Sequence, residues 1–461
     1  MASANKSPKW APRIAVVIGA VTCALAIKYA IPAAQQPGAD RIAAVGAVYA
    51  ESEKPTTRST SKAVIPPDQL YRKAWMLVQD VYYDKKFGGQ DWSRWRHRYD
   101  GKLKTEDDAH KAIETMVSSL GDPYTRFLGP DAFTEEKSQI EAHLFGVGMQ
   151  LGMNKEHKVV VIAPIQDTPA YKAGVHPGDE IIEVDKKPVK GQSLDQVVKQ
   201  IRGLPGTSVN ITFMRGTEKK VASMTRAEVP IRAVANAEVL PGNLGYIRLD
   251  SFISHKADEE MRDALHKLAN TKGIILDLRN NPGGLLANAI QIANMFLDHG
   301  VIVSTIDADG YKNSTIASHH PITGQPMVLL INQGSASASE ILSGALHDNH
   351  RATLVGQKSF GKGLVQSINK LEDGSGINIT IAKYLTPNDT DIHKQGIKPD
   401  YDVEVSEEDL KGGKGPWWID PTFSNFKRTP GDGKDVQLAK AEEVLKKEIA
   451  NGNTVAKTTQ Q

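Results

Sequence analysis

The chain is almost without cysteine. Of its 461 residues only Cys23 is one, and it lies in an N-terminal apolar segment. The body of the chain therefore holds no disulfide, no thiol nucleophile and no cysteine-based zinc site. Such a composition suits an oxidising compartment. An excess of one charge is missing as well. The chain has 56 Lys and Arg against 54 Asp and Glu, a net charge of +2, with no dominant basic block. Nucleic acid is not an indicated partner. No H-E-x-x-H, no carboxylate cluster at ligand spacing and no P-loop occurs, so neither a metal nor any other cofactor is expected.

Long apolar runs are scarce, and the first one carries an address. Lys6, Lys9 and Arg13 precede an uncharged stretch over 14–27; Lys28 interrupts it, and 29–34 continue it. A positive start before such a run fits export. The run is short for a full membrane span unless Lys28 snorkels. The small residues around Val48-Tyr49-Ala50 lie far from the apolar core for a cleavage site. Residues 1–35 are thus expected to be an uncleaved signal-anchor, with a cleaved signal peptide as the alternative. A core helix fits less well, because residues 36–65 are rich in Ala, Ser, Thr and Pro and read as a flexible tether. The expected location is the periplasm or cell envelope, anchored to the inner membrane.

A length of 461 residues suggests about three domains. Residues 66–140 carry helical stripes (Leu70, Trp75, Val78; Ala109, Ile113, Met116) with Trp92 and Trp95 as expected core anchors. They end in Leu120-Gly121-Asp122-Pro123-Tyr124-Thr125-Arg126-Phe127-Leu128. Residues 141–229 change to alternating strand patterns, and Ser193-x-x-Gln196 caps one amphipathic helix. Residues 230–405 alternate buried strands with helices. Residues 406–461 form a C-terminal extension with a charged helix from Val436, and the last dozen residues read as disordered.

The order of elements over 141–229 resembles a PDZ domain. Its Phe145-Gly146-Val147-Gly148 loop precedes a strand. A glycine-rich loop offers backbone N–H groups to a chain's terminal carboxylate, while the strand edge pairs with the last residues. The plainer reading is an ordinary glycine turn between domains.

The richest stretch is Gly334-Ser335-Ala336-Ser337-Ala338-Ser339-Glu340-Ile341. It follows an apolar strand pattern and opens a helical one, so hydroxyl groups sit at a helix N-terminus. Unpaired N–H groups there can hold a developing oxyanion. Ser337-x-x-Glu340 is also a capping box, so Ser337 could simply cap the helix. Lys362 lies downstream in Ser359-Phe360-Gly361-Lys362-Gly363, which alone would read as a surface lysine in a glycine turn.

These motifs, with Asp277-Leu278-Arg279-Asn280-Asn281-Pro282-Gly283-Gly284, Phe360 to Gln366 and Gly396-Ile397-Lys398-Pro399-Asp400, resemble the carboxyl-terminal processing (tail-specific) proteases. The match spans roughly 67–405, and its specificity comes from the order of all its motifs. The resemblance implies a multidomain α+β fold: a helical N-terminal region, a PDZ β-sandwich or barrel, and an α/β crotonase-like core. It implies Ser337 as nucleophile, Lys362 as general base, Gln366 as the residue orienting the lysine, and Gly283 and Ala338 as oxyanion donors. A lysine takes a proton only when neutral, which desolvation favours; a glutamine can orient it without adding charge. Gln366 could otherwise be a sheet-surface residue, and Gly283 a plain turn. Ser335 and Ser339 are rivals by composition, and His347 and His350 allow a Ser-His alternative. The acidic segment Pro387 to Ile392 departs from the expected pattern. Implied partners are proteins with apolar free C-termini; an activating adaptor and homo-oligomers are compatible with this reading. Rivals from other classes are an inactive PDZ adaptor and a small-molecule enzyme on a crotonase-like core.

Overall fold

The computed structural model describes residues 65–452 except 141–143, 154–155, 166–167, 177, 230–231 and 419–427. The expected export segment and nearly all of the tether, 1–64, and the final residues 453–461 lie outside the described residues. Among the described residues no helix is long and apolar enough to cross a membrane. The chain divides into two compact units. One holds 143–231 with 407–432; the other holds 65–142, 232–406 and 433–452.

The first unit is built on a six-stranded antiparallel sheet. Its strands run in the order Met149–Met153, Val159–Pro164, Glu180–Val184, Ser208–Arg215 and Glu218–Thr225, with Lys187–Pro188 paired onto Glu180–Val184. Alternation puts Val209, Ile211 and Phe213 into a core with Val147, Leu151, Val161, Ile181 and Val197. The helix Leu194–Ile201 is capped as its sequence predicts: the Ser193 hydroxyl accepts the Gln196 N–H, and the Gln196 side chain accepts the Ser193 N–H at 2.8 Å.

The second unit has a central sheet in the order Val234–Leu240, Leu244–Leu249, Ile274–Asp277, Met327–Ile331, Thr353–Gly356, Tyr401–Asp402. The first pair is antiparallel and the rest are parallel. Ile274–Asp277 and Met327–Ile331 are buried at every position, as strands covered on both faces must be. The helix Val436–Ala450 belongs to this unit and buries Leu438, Ala441, Val444 and Leu445. A second, antiparallel sheet carries Arg126–Leu128, Gly376–Leu385, Val301–Asp307 and Lys312–Ile316, with Leu364–Lys370 also paired to Gly376–Leu385. Helices Pro67–Val81 and Glu106–Ser118 pack with Trp92 and Trp95 into a cluster that includes Ile377 and Ile379 of this sheet and Leu371 of the turn before Gly376. The helical region therefore shares its core with the sheet. This α+β arrangement agrees with the fold class expected from the sequence.

Candidate active site

The serine motif turns sharply between the strand Met327–Ile331 and the helix Ala338–Asp348. Its flanking hydroxyls are committed to that turn. Ser335 Oγ donates to the Leu278 carbonyl at 2.8 Å and accepts the Asn332 N–H at 3.0 Å; Ser339 Oγ donates to the Asn281 carbonyl at 2.8 Å. Ser337 forms the capping box with Glu340 that its spacing predicts, and its backbone sets it apart. It sits at φ 55° and ψ −113°, and it is buried. A non-glycine residue held there carries strain of about 1–3 kcal/mol, which persists only where the surroundings impose it.

The surroundings do impose it, chiefly through Glu340. This fully buried carboxylate accepts the Ser337 N–H at 2.9 Å, the Gly361 N–H at 2.7 Å, the Lys362 N–H at 2.8 Å and the Ser359 hydroxyl at 2.6 Å. It thereby ties the backbone of Ser337 to that of Lys362. Burial pushes its carboxyl above the usual range, and the donors pull it back. Four donors and no acceptor mark the ionised form as the one this geometry serves.

Behind the lysine loop runs the Gln395 to Asp400 motif. The Ser359 N–H donates to the Ile397 carbonyl and the Ser359 hydroxyl accepts the Ile397 N–H, while the Lys394 N–H reaches the Gly361 carbonyl. Lys362 is buried, and its Nζ lies 5.1 Å from the centroid of the Tyr124 ring. Gln366, on the strand Leu364–Lys370, is buried to 2 % exposure with no hydrogen-bond partner for either amide atom among the described residues.

Gly283 lies directly against the serine turn. At its φ of 101° a side chain is disfavoured, and a Cβ there would come within 2.6 Å of the Ala336 carbonyl oxygen, 2.9 Å of the Ala338 nitrogen and 3.0 Å of Ser337 Cβ. Ala338 is the first helical residue, where backbone N–H groups lack an intrahelical acceptor. The Gly283 N–H is donated to Asn281 Oδ1 at 2.9 Å, so service to an oxyanion requires it to change acceptor.

The structure thus brings Ser337, Ala338 and Gly283 together and links Ser337 to Lys362 through Glu340. His347 is ten positions beyond Ser337, about 15 Å along the helix axis. It is bound to Asp348 (3.1 Å) and Asp400 (3.2 Å), and the Asp348 carboxylate in particular pushes its imidazole up to about 9. It is not placed to serve Ser337, and His350 lies still farther along, beyond the helix end.

In the other unit, Leu144–Gly146 pairs with Ala227–Val229, with Phe145 opposite Glu228. Val147 is part of the core. Gly148 has φ 75°, and a Cβ there would collide with the Thr168 side chain, whose hydroxyl donates to the Gly148 carbonyl at 2.9 Å. The strand that follows, Met149–Met153, is an edge of the sheet.

Sequence reasoning missed three arrangements. The first is the breadth of Glu340's role, for which the capping-box spacing was the only signal. The second is a buried ion network. Arg279 donates to Asp277, to Asp435 (2.9 Å from both Nη1 and Nη2) and to Gln437, and the Tyr246 hydroxyl donates to Asp277. The third is the seat of Lys362 on Tyr124. One group of side chains among the described residues is spaced for a metal, Glu106, His110 and Asp373. The His110–Asp373 hydrogen bond at 2.6 Å already pairs the half-buried histidine with the buried carboxylate, and none of the three belongs to the candidate site.

Each of the two units matches a known family. The model of peptidase family S41 matches residues 243–403, and that of the PDZ domain matches 145–225. A carboxyl-terminal-processing protease of Synechocystis sp. is 42% identical over 345 residues, covering 73% of this chain and 81% of the relative. The carboxy-terminal processing protease CtpA of Bacillus subtilis is 36% identical, covering 70% of each chain. Among solved structures, a photosystem II D1 C-terminal processing protease superposes with a TM-score of 0.52 at 34% identity, over 76% of this chain and 96% of that one.

Proposed function

The chain belongs to the carboxyl-terminal processing proteases of peptidase family S41 and is a serine-type peptidase, and from that premise we propose that Ser337 and Lys362 form its catalytic dyad. The observation that carries this reading is the single buried carboxylate of Glu340, which accepts N–H groups from both residues while Gly283 packs on the serine turn. Ser337 Oγ attacks the scissile carbonyl carbon, and the neutral Lys362 amine takes the hydroxyl proton. The oxyanion is held by the N–H groups of Ala338 and Gly283, the latter released from Asn281. The Lys362 ammonium then protonates the departing amine, leaving an acyl-enzyme. Water, losing its proton to Lys362, releases the new C-terminus and restores the serine. The Gln366 amide, without a partner among the described residues, orients the lysine amine only once it turns to meet it.

The PDZ unit recognises the substrate by its C-terminal tail. The strand Met149–Met153, an edge of its sheet among the described residues, supports this, since an extended tail can add there as a further strand, its carboxylate meeting the Phe145 to Gly148 segment, whose first two residues belong to the strand Leu144–Gly146. Substrates are proteins with apolar free C-termini. Binding of the tail gates the site; deletion of 144–229 should then abolish cleavage of folded, tailed proteins, and undiminished cleavage contradicts gating. The enzyme is exported and held at the membrane by residues 1–35. Recovery of the full chain in the alkali-resistant membrane fraction supports this, and recovery as a free soluble protein opposes it.

The dyad is tested by cleavage of a protein with an apolar free C-terminus, using wild type, Ser337→Ala and Lys362→Ala. Each variant should lose roughly 10⁴-fold or more in rate. A wild type that binds the tail yet cuts nothing would favour the inactive adaptor or a required activating partner.

A further inference from the structure

We propose that Tyr124 is a positioning residue that seats the Lys362 amine on its ring face and thereby sets the pH at which that amine becomes a base. The proposal rests on the reading of Lys362 given above. Lys362 is 5 % exposed, so little water reaches its amine, and the Tyr124 ring centroid stands 5.1 Å from Nζ. The loop that carries the ring is held in place. Asp122 Oδ1 accepts the Tyr124 N–H at 2.9 Å, and Asp122 Oδ2 accepts the hydroxyls of Thr125 (2.7 Å) and Thr380 (2.6 Å). Thr380 lies on the strand Gly376–Leu385, opposite Gln366 of the strand that follows Lys362. The next residues of the Tyr124 loop, Arg126–Leu128, pair with that same strand. Ring and amine are thus fixed to one sheet.

A ring face attracts an ammonium and does little for a neutral amine, so this contact favours the protonated form. Proton abstraction from Ser337 needs the neutral form. Tyr124 therefore places the amine at the cost of a higher pH for activity. The titratable groups facing Tyr124 among the described residues include Asp122 and Glu340, which act on its hydroxyl, and His393, whose ring meets the edge of Tyr124 at 6.3 Å. Around His393 stand Asp391, Lys383 and Lys394.

The test is the pH dependence of substrate cleavage by the full chain, from roughly pH 5 to 10, for wild type, Tyr124→Leu, Tyr124→Phe and Tyr124→Met. A base acts when deprotonated, so the rate rises with pH through its pKa. In Tyr124→Leu the rising limb should move to lower pH by about half a unit to one and a half units, with a lowered plateau from the lost seat. Tyr124→Phe should keep the wild-type limb, since it keeps the ring. Tyr124→Met, which fills the space without a ring, should behave as Leu does and secures the result if Leu prevents folding. An unmoved limb in both folded Leu and Met variants overturns the proposal, as does an equal shift in Tyr124→Phe. A shift that vanishes in a His393→Gln background also overturns it, by assigning the limb to the imidazole. Activity surviving in Lys362→Ala would instead refute the base assignment itself, so the two failures are distinguishable.

Discussion

Two clusters of buried polar side chains meet the loop from Asp277 to Gly284, and they are built to opposite standards. In the Arg279 cluster every charged side chain has a hydrogen-bonded partner. The guanidinium is fully buried and contacts Asp277, Asp435 and Gln437, and Asp277 also receives the Tyr246 hydroxyl. In the cluster around Ser337 the matching is deliberately incomplete. Ser337 is held in a strained conformation, the Gln366 amide has no partner among the described residues, and the Gly283 N–H is lent to Asn281. Glu340 alone is saturated, by four donors. A saturated network fixes one arrangement; unsatisfied buried groups are tolerated where a substrate or a proton is to be received. The first cluster holds the loop and the last helix, and the second is left open for chemistry.

That contrast can be broken or sharpened by mutation. The largest effect on stability should come from Arg279→Met, which strands the carboxylates of Asp277 and Asp435 in the interior. Removing one partner from a buried pair costs about 3–5 kcal/mol, to be read from denaturant unfolding. A loss under 1 kcal/mol would mean that the cluster is not the anchor described here. Glu340→Gln comes next. Its amide nitrogen would face N–H groups that now find an acceptor, costing about 1–3 kcal/mol. Catalytic rate should fall more steeply than stability, because both Ser337 and Lys362 lose their common tether; the comparison of kcat with the unfolding midpoint checks this.

Gln366→Leu should act in the reverse direction. It removes two unpaired buried polar atoms, so the protein should gain about 1–2 kcal/mol while losing activity. Loss of both would show that the Gln366 amide is satisfied in solution. The smallest effect concerns His347, outside both clusters. Its imidazole is pushed up to about 9, first by Asp348. A group with a raised folded pKa contributes fully below its unfolded value of about 6.5 and loses that contribution as pH rises through the folded one. Stability should therefore decline modestly between about pH 6.5 and 9, and His347→Gln should flatten that decline, as thermal melts across this range would reveal.

Much of the candidate site is local in sequence, which is why it was legible. Ser337, Ala338 and Glu340 fall within one strand-to-helix turn, and Gly283 within another, so the turns were visible in the sequence, while the roles of these residues came from the order of all the motifs and the family they resemble. The capped helix at Ser193 also followed from local pattern. What stayed hidden depends on distant partners. Arg279 and Asp435 are 156 positions apart, and His110 and Asp373 are 263 apart. Neither period nor propensity marks such pairs. The same limit applies to Tyr124, whose motif is recognisable but whose ring meets Lys362 only after the strand Arg126–Leu128 has joined its sheet. The C-terminal helix was legible as a helix, but its burial through Asp435 was not.

The most direct test of the central claim is to trap the covalent step. The purified full chain would be treated with a serine-reactive fluorophosphonate and mapped by peptide mass spectrometry, beside Ser337→Ala and Lys362→Ala. The account predicts a single adduct on Ser337, absent from Ser337→Ala and slowed by orders of magnitude in Lys362→Ala. Modification of another serine, or labelling of Ser337 at an equal rate without Lys362, would contradict it.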